Sequence, residues 1–139
     1  MKVVLDTNVV VSGLFFGGQP RAVLDGWADG RLEVVITPSI LDEYLRVCER
    51  LRSSHPGIDY RVILLELAAR GVLVPDVDGT EPITADPDDD KFVRCAQQVG
   101  ATVVSGDRHL LDVDGWNGVR VMPPARLANS LAQDDDGAT

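Results

Sequence analysis

The feature that most constrains this chain is its alternation of short β-branched runs with segments patterned as helices. Lys2–Leu5 reads as a buried strand, and Thr7–Phe16 follows with a mixed apolar pattern that ends at Gly17-Gly18. Pro20–Ala28 reads as a short helix, Leu32–Ile36 as a second strand, and Pro38–Arg52 as a helix capped by Thr37 with Pro38 in its first position. The apolar stripe Leu41, Tyr44, Leu45, Cys48 and Leu51 fits a 3.6-residue period. Ile58–Arg70 and Pro87–Val99 read as further helices, stopped by Gly71 and Gly100. Between them lie a short strand, Val72–Val74, and a stretch rich in Pro and Asp, Pro75–Asp86. Ala101–Val104 and Val119–Val121 complete the strands; Arg108–Leu111 and Pro124–Leu131 are short helices. Strands separated by helices imply a parallel sheet covered on both faces. The expected class is α/β, a three-layer α/β/α sandwich with four to five parallel strands. No repeat or linker divides residues 1–132, which are expected to form one domain; the acidic segment 133–139 has no large apolar residue and is expected to lack fixed structure.

The carboxylates follow the strands. In open α/β sheets, sites form beyond the carboxyl ends of the strands. Asp6 directly follows the first strand, and Asp107 lies three residues past the fourth, in TVVSGD. In a parallel sheet both point to the same edge. Each also has a plain reading as a helix N-cap, but one cap does not require the three successive polar groups of Asp6-Thr7-Asn8. Glu43 lies in the second turn of its helix, off the apolar stripe. By pattern alone it reads as a solvated residue paired with Arg46 or Arg50. In the run Asp86-Pro87-Asp88-Asp89-Asp90, Asp86 suits an N-cap and acids suit a helix start. Three consecutive aspartates repel one another, so one of them is a candidate for another task. Asp89 begins the face that carries Phe92 and Ala96, while the run also permits Asp90 or Asp88.

Carboxylates converging on one edge would suit a hard cation such as Mg2+ or Mn2+, which takes oxygen ligands. Without one, they raise one another's pKa. The two cysteines, Cys48 and Cys95, form neither a CxxC pair nor a Cys/His metal spacing and read as reduced residues facing the core. The net charge of −9 opposes a nucleic-acid-binding role, because such proteins usually carry a basic footprint. Acids gathered in one cation site would account for part of it. The apolar runs are far too short to span a membrane, and no signal peptide is read at the start, so a cytoplasmic protein is expected.

Three segments, VVLDTNVVVSGL, PSILDEYLRV and ADPDDDKFVRCAQQVGATVVSGDRHLL, occur in an order that resembles the PIN domain family, and within it the bacterial group of toxin components from toxin–antitoxin pairs. The resemblance implies a divalent-metal-dependent ribonuclease. It matches Asp6, Glu43, Asp89 and Asp107 to the four catalytic, metal-holding acids and Thr7, Asn8 and Ser105 to supporting polar residues. It also implies an RNA substrate, a small antitoxin partner and a homodimer. Where the family often has a fifth acid this chain has His109, which favours one tightly held metal over two. Arg21, Arg46, Arg50 and Arg108 are candidates for contact with RNA, although Arg46 can equally pair within its own helix. Two other phosphoryl-transfer classes fit less well. A dehalogenase-like site wants DxD where Asn8 stands, and a receiver domain wants paired acids near the start. The remaining alternative is a catalytically weak or inactive PIN-like module that binds RNA or protein.

Overall fold

The computed structural model describes the backbone of residues 1–137 and side chains through residue 134. Five strands form one sheet in the order β3-β2-β1-β4-β5, and every pairing is parallel. They are β1 (Lys2–Leu5), β2 (Glu33–Ile36), β3 (Val72–Leu73), β4 (Thr102–Val104) and β5 (Val121–Met122). The helices are α1 (Thr7–Phe15), α2 (Gly18–Ala28), α3 (Pro38–Leu51), α4 (Tyr60–Arg70), α5 (Asp90–Val99), α6 (Arg108–Leu111) and α7 (Pro124–Gly137). Successive strand residues point to opposite faces. Val3, Val4 and Leu5 are all fully buried, so both faces of the central strand are covered. This is the expected α/β sandwich, with helices flanking a parallel sheet.

Strand β1 pairs with β2 on one side and with β4 on the other. The chain therefore reverses its direction of progress across the sheet between β1 and β4. In such sheets the crevice at the carboxyl ends of the two diverging strands is the usual place for a ligand. Backbone bonds continue past the strand ends here: Asp6 N–H donates to the Val104 carbonyl at 3.0 Å, and Ser105 N–H to that of Met122 at 3.0 Å.

Local rules account for most element boundaries. The Thr37 hydroxyl accepts from Ile40 N–H at 3.2 Å and caps α3, with Pro38 in the first position. Gly100 adopts φ +70° and ends α5 in a left-handed turn that L side chains enter at a cost. Gly13 lets α1 and α2 approach, because a Cβ there would lie 2.6 Å from a Leu24 methyl and 3.0 Å from the Pro20 carbonyl oxygen. The interior is mostly aliphatic, with Tyr44 and Phe92 its largest fully buried side chains, and Cys48 and Cys95 sit in it as free thiols. Burial pushes them up to about 11 and about 12, which leaves both protonated at neutral pH.

Four sequence expectations are corrected. Helix α4 starts at Tyr60 rather than Ile58. The stretch after Asp86 opens as a 3-10 turn, Pro87–Asp89, before α5 begins at Asp90. On α3 the fully buried residues are Ile40, Tyr44 and Cys48, whereas Leu45 is exposed: the buried face is rotated from the expected stripe because α3 packs on α1, α4 and α5. Helix α7 runs past Leu131 to Gly137, so it takes in part of the acidic segment; residues 138 and 139 lie outside the described residues. Among the described residues, no helix is long and apolar enough to cross a membrane.

One buried bond ties α3 to the central strand. Tyr44, fully buried, donates its hydroxyl to the Leu5 carbonyl at 2.5 Å. Its neighbours in sequence are Glu43 and, across the bond, Asp6. Tyr44→Phe is expected to keep the fold and to lower unfolding free energy by about 1–2 kcal/mol, the usual range for losing a buried hydrogen bond. Urea denaturation would register this as a lower midpoint at unchanged slope.

Candidate metal centre

The edge beyond β1 and β4 carries the carboxylates. Asp6 occupies the cap position of α1, but its side chain makes no capping bond. Instead, Ser105 Oγ donates to Asp6 Oδ2 at 2.6 Å, and the same oxygen accepts from Asp107 N–H at 2.9 Å. A fully buried hydroxyl thus bridges the residues that follow the two central strands. Burial pushes the Asp6 carboxyl above its ordinary value, and the Ser105 bond opposes that rise. Asp107 does cap α6, accepting from His109 N–H at 2.9 Å, so its plain reading holds. Its charge nevertheless reaches both Asp6 and Asp89.

Glu43 is not the solvated residue that its helical position suggested. Thr7 Oγ1 donates to its Oε2, and Lys91 Nζ lies 2.5 Å from its Oε1. Its partner is therefore neither Arg46 nor Arg50, because the second turn of α3 faces the starts of α1 and α5 rather than its own basic residues. Thr7, at the start of α1, thus reaches Glu43 on α3.

The acidic run at the start of α5 divides by role. Asp90 is buried and already engaged: it accepts from Thr84 N–H at 2.9 Å, Thr84 Oγ1 at 2.8 Å and Ile83 N–H at 3.2 Å. Those bonds anchor the preceding loop and engage both oxygens of Asp90. Asp88 is exposed. Asp86 caps the 3-10 turn through Asp88 N–H at 3.0 Å. Asp89 differs from all three, because its Oδ2 is buried with no hydrogen-bond partner. Desolvation, then the charges of Asp6, Asp107, Asp86 and Glu43, push it up to about 6. A buried polar oxygen left unpaired among like charges is costly. Ligand atoms of Asp86, Asp89 and His109 also lie within 4.8 Å of one another, close enough to hold one metal ion. An oxygen-rich donor set with one unpaired buried oxygen fits a hard cation.

Acids from separated segments thus lie near enough for their charges to reach Asp89. A family model described as PIN domain matches residues 2–109. The chain belongs to the PIN domain family. It is 32% identical over 121 residues to the uncharacterized protein MJ1680 of Methanocaldococcus jannaschii, covering 84% of this chain and 77% of that protein. Among solved structures it resembles PAE2754 from Pyrobaculum aerophilum, with TM-score 0.59, 16% identity and coverage of 96% and 90% of the two chains. It also resembles VapBC2 from Rickettsia felis bound to a DNA fragment from their promoter, with TM-score 0.56, 13% identity and coverage of 88% and 98%. The PIN domain endonuclease Utp24 gives TM-score 0.51 at 16% identity, covering 88% and 84%. At such identities these structures establish the PIN fold and no more.

Other expected residues fall less centrally. Asn8 is exposed and lines an open groove of about 430 Å³ beside Asp107, with Ser12, Pro20 and Gly106. Arg21 pairs with Asp25 at 3.1 Å and Arg46 with Asp42 at 3.0 Å, each within its own helix. Arg50 and Arg108 are exposed and have no ion pair among the described residues. Two residues escaped the sequence reading. Asp86 joins the cluster although its capping role seemed sufficient, and Lys91 turns inward to Glu43. The DDDK run itself carried the signal for Lys91: a lone cation directly after three acids.

Because the folded protein raises Asp89 above the ordinary carboxyl value of 3.8 to about 6, it binds a proton there that the unfolded chain releases. The metal-free protein should therefore lose stability as pH rises from about 4 to 6, by about 1–3 kcal/mol. Thermal melts in EDTA across that range should show the decline, and Asp89→Asn should flatten it.

Proposed function

We propose that the chain is a divalent-metal-dependent endoribonuclease that hydrolyses RNA phosphodiester bonds at this edge, with Mg2+ or Mn2+ as its cofactor. The observation that carries the reading is the unpaired buried oxygen of Asp89, set among acids from three segments where β1 and β4 diverge. By the family resemblance Asp6, Asp89 and Asp107 would hold the cation, with Asp86 and His109, whose ligand atoms stand within 4.8 Å of Asp89, beside them and Glu43 completing the acidic rim. When bound, the cation supplies the charge that acidifies an attacking water and stabilises the departing oxygen. The chain's own residues orient the rest. Ser105 fixes the Asp6 carboxylate, and Thr7 and Lys91 fix Glu43. Arg108, exposed beside Asp107 with no ion pair among the described residues, is the basic side chain best placed for a substrate phosphate.

The RNA substrate follows from the family resemblance, and the assay must include single-stranded DNA for comparison. Purified protein should cleave RNA in Mg2+ or Mn2+ and not in EDTA. Asp6→Asn and Asp107→Asn should each lower the rate at least about 100-fold, the scale of several kcal/mol of cation-borne stabilisation. Undiminished cleavage by Asp6→Asn would refute the site. Binding of RNA without cleavage in either metal would favour the alternative of a non-catalytic binding module.

The reading extends to a cytoplasmic toxin with a small antitoxin partner, acting as a homodimer. Its support is the sequence resemblance. The α3–α4 side also leaves Leu45 and Leu65 exposed around a shallow apolar depression with Leu41 and Ala68, and apolar groups clustered on a surface mark sites of protein contact. Expression in bacteria should arrest growth, and Asp107→Asn should relieve the arrest.

A further inference from the structure

The acidic edge has two unlike halves. Around Asp89 the oxygens are under-used: Oδ2 is buried without a partner, and ligand atoms of Asp86 and His109 stand within 4.8 Å. Around Glu43 each oxygen has a partner. Oε2 accepts from Thr7, and Oε1 lies 2.5 Å from Lys91 Nζ. The ammonium is itself held in place. It donates to the Asp88 carbonyl at 2.9 Å and stands 5.3 Å from the centre of the Phe92 ring. Lysines near a surface normally extend their heads into water. The Lys91 side chain is only 23% exposed and points to a carboxylate 48 residues away in sequence.

We propose that Lys91 is a built-in cation that stands where a second divalent ion would otherwise be needed. The chain then holds one divalent ion, on the Asp89 side, and Glu43 is not among its ligands. This rests on the metal-site reading above and narrows it. The Glu43 carboxylate is half-withdrawn from solvent between Thr7 and Lys91, where a cation beside it offsets its charge. An ammonium on a short tether does so without loss to solution. A divalent ion approaching Glu43 would have to expel a like charge from a charge-assisted bond. Lys91 is thus a positioning residue: it orients Glu43 and limits the number of metal ions, and it does not touch the reacting atoms.

A plain structural reading treats the same pair as a salt bridge between α3 and α5. It predicts a loss of stability on substitution and no change in metal count. Titration of the full chain with Mn2+, followed by the electron paramagnetic resonance of free Mn2+ and by calorimetry, separates the two. One Mn2+ per chain is expected for the wild type and for Lys91→Arg. Two are expected for Lys91→Gln, falling back to one when Glu43→Gln is added. Two ions on the wild type, or one on a folded Lys91→Gln, would overturn the proposal. No binding by the wild type would instead remove the metal site on which it rests, and the proposal with it. Should Lys91→Gln not fold, anomalous scattering from Mn2+-soaked wild-type crystals decides. Manganese near Asp89 with Lys91 still on Glu43 supports the proposal, and manganese on Glu43 overturns it.

Discussion

The parallel pairing of β1 with a strand on each side is the constraint on which the rest of this protein depends. Because β2 and β4 both run alongside β1, every strand ends at the same edge, and chain segments far apart in sequence are delivered there together. The fully buried Val3-Val4-Leu5 run leaves the chain no choice of face or depth at that point. Asp6 must emerge at the edge, where the backbone bond to Val104 brings Ser105 and Asp107 beside it. The Tyr44 bond to Leu5 performs the same service for Glu43 from a helix that is not part of the sheet.

What emerges at that edge is electrostatically expensive. Asp6 and Asp89 are both raised above the ordinary carboxyl value, chiefly by burial and then by their acidic neighbours. The protein offsets the crowding unevenly. Asp6 has a hydroxyl, Glu43 has a hydroxyl and an ammonium, and Asp107 has the first turn of α6. Among the described acids of this edge, only Asp89 keeps a buried oxygen with no partner. That oxygen lies beside the ligand atoms of Asp86 and His109, a group able to hold a metal ion.

How much was legible in the sequence depended on the range of the interaction. The order of elements, the Thr37 cap, the Gly100 stop and the buried cysteines follow from rules that act over a few residues, and they hold in the structure. Asp6 and Asp107 were legible for the same reason, because a strand end is a local signal. Glu43 was not: its helical position looks like that of any solvated acid, and only the approach of Thr7 and Lys91 gives it partners. The run Asp88-Asp89-Asp90 could not be resolved from pattern, since neighbouring aspartates share composition and helix-start propensity. The loop carrying Ile83 and Thr84 resolves it by consuming Asp90 and leaving Asp89 open.

By itself, then, the sequence determined a parallel α/β sheet, because hydrophobic period and helix-terminating residues act locally, and it determined that acids would end two of its strands. Only the tertiary structure decided which acids meet, which are already paired and where a positive charge was built in. Those are contacts between residues as far apart as Asp6 and Ser105, or Glu43 and Lys91, and their strength depends on burial that no single segment specifies.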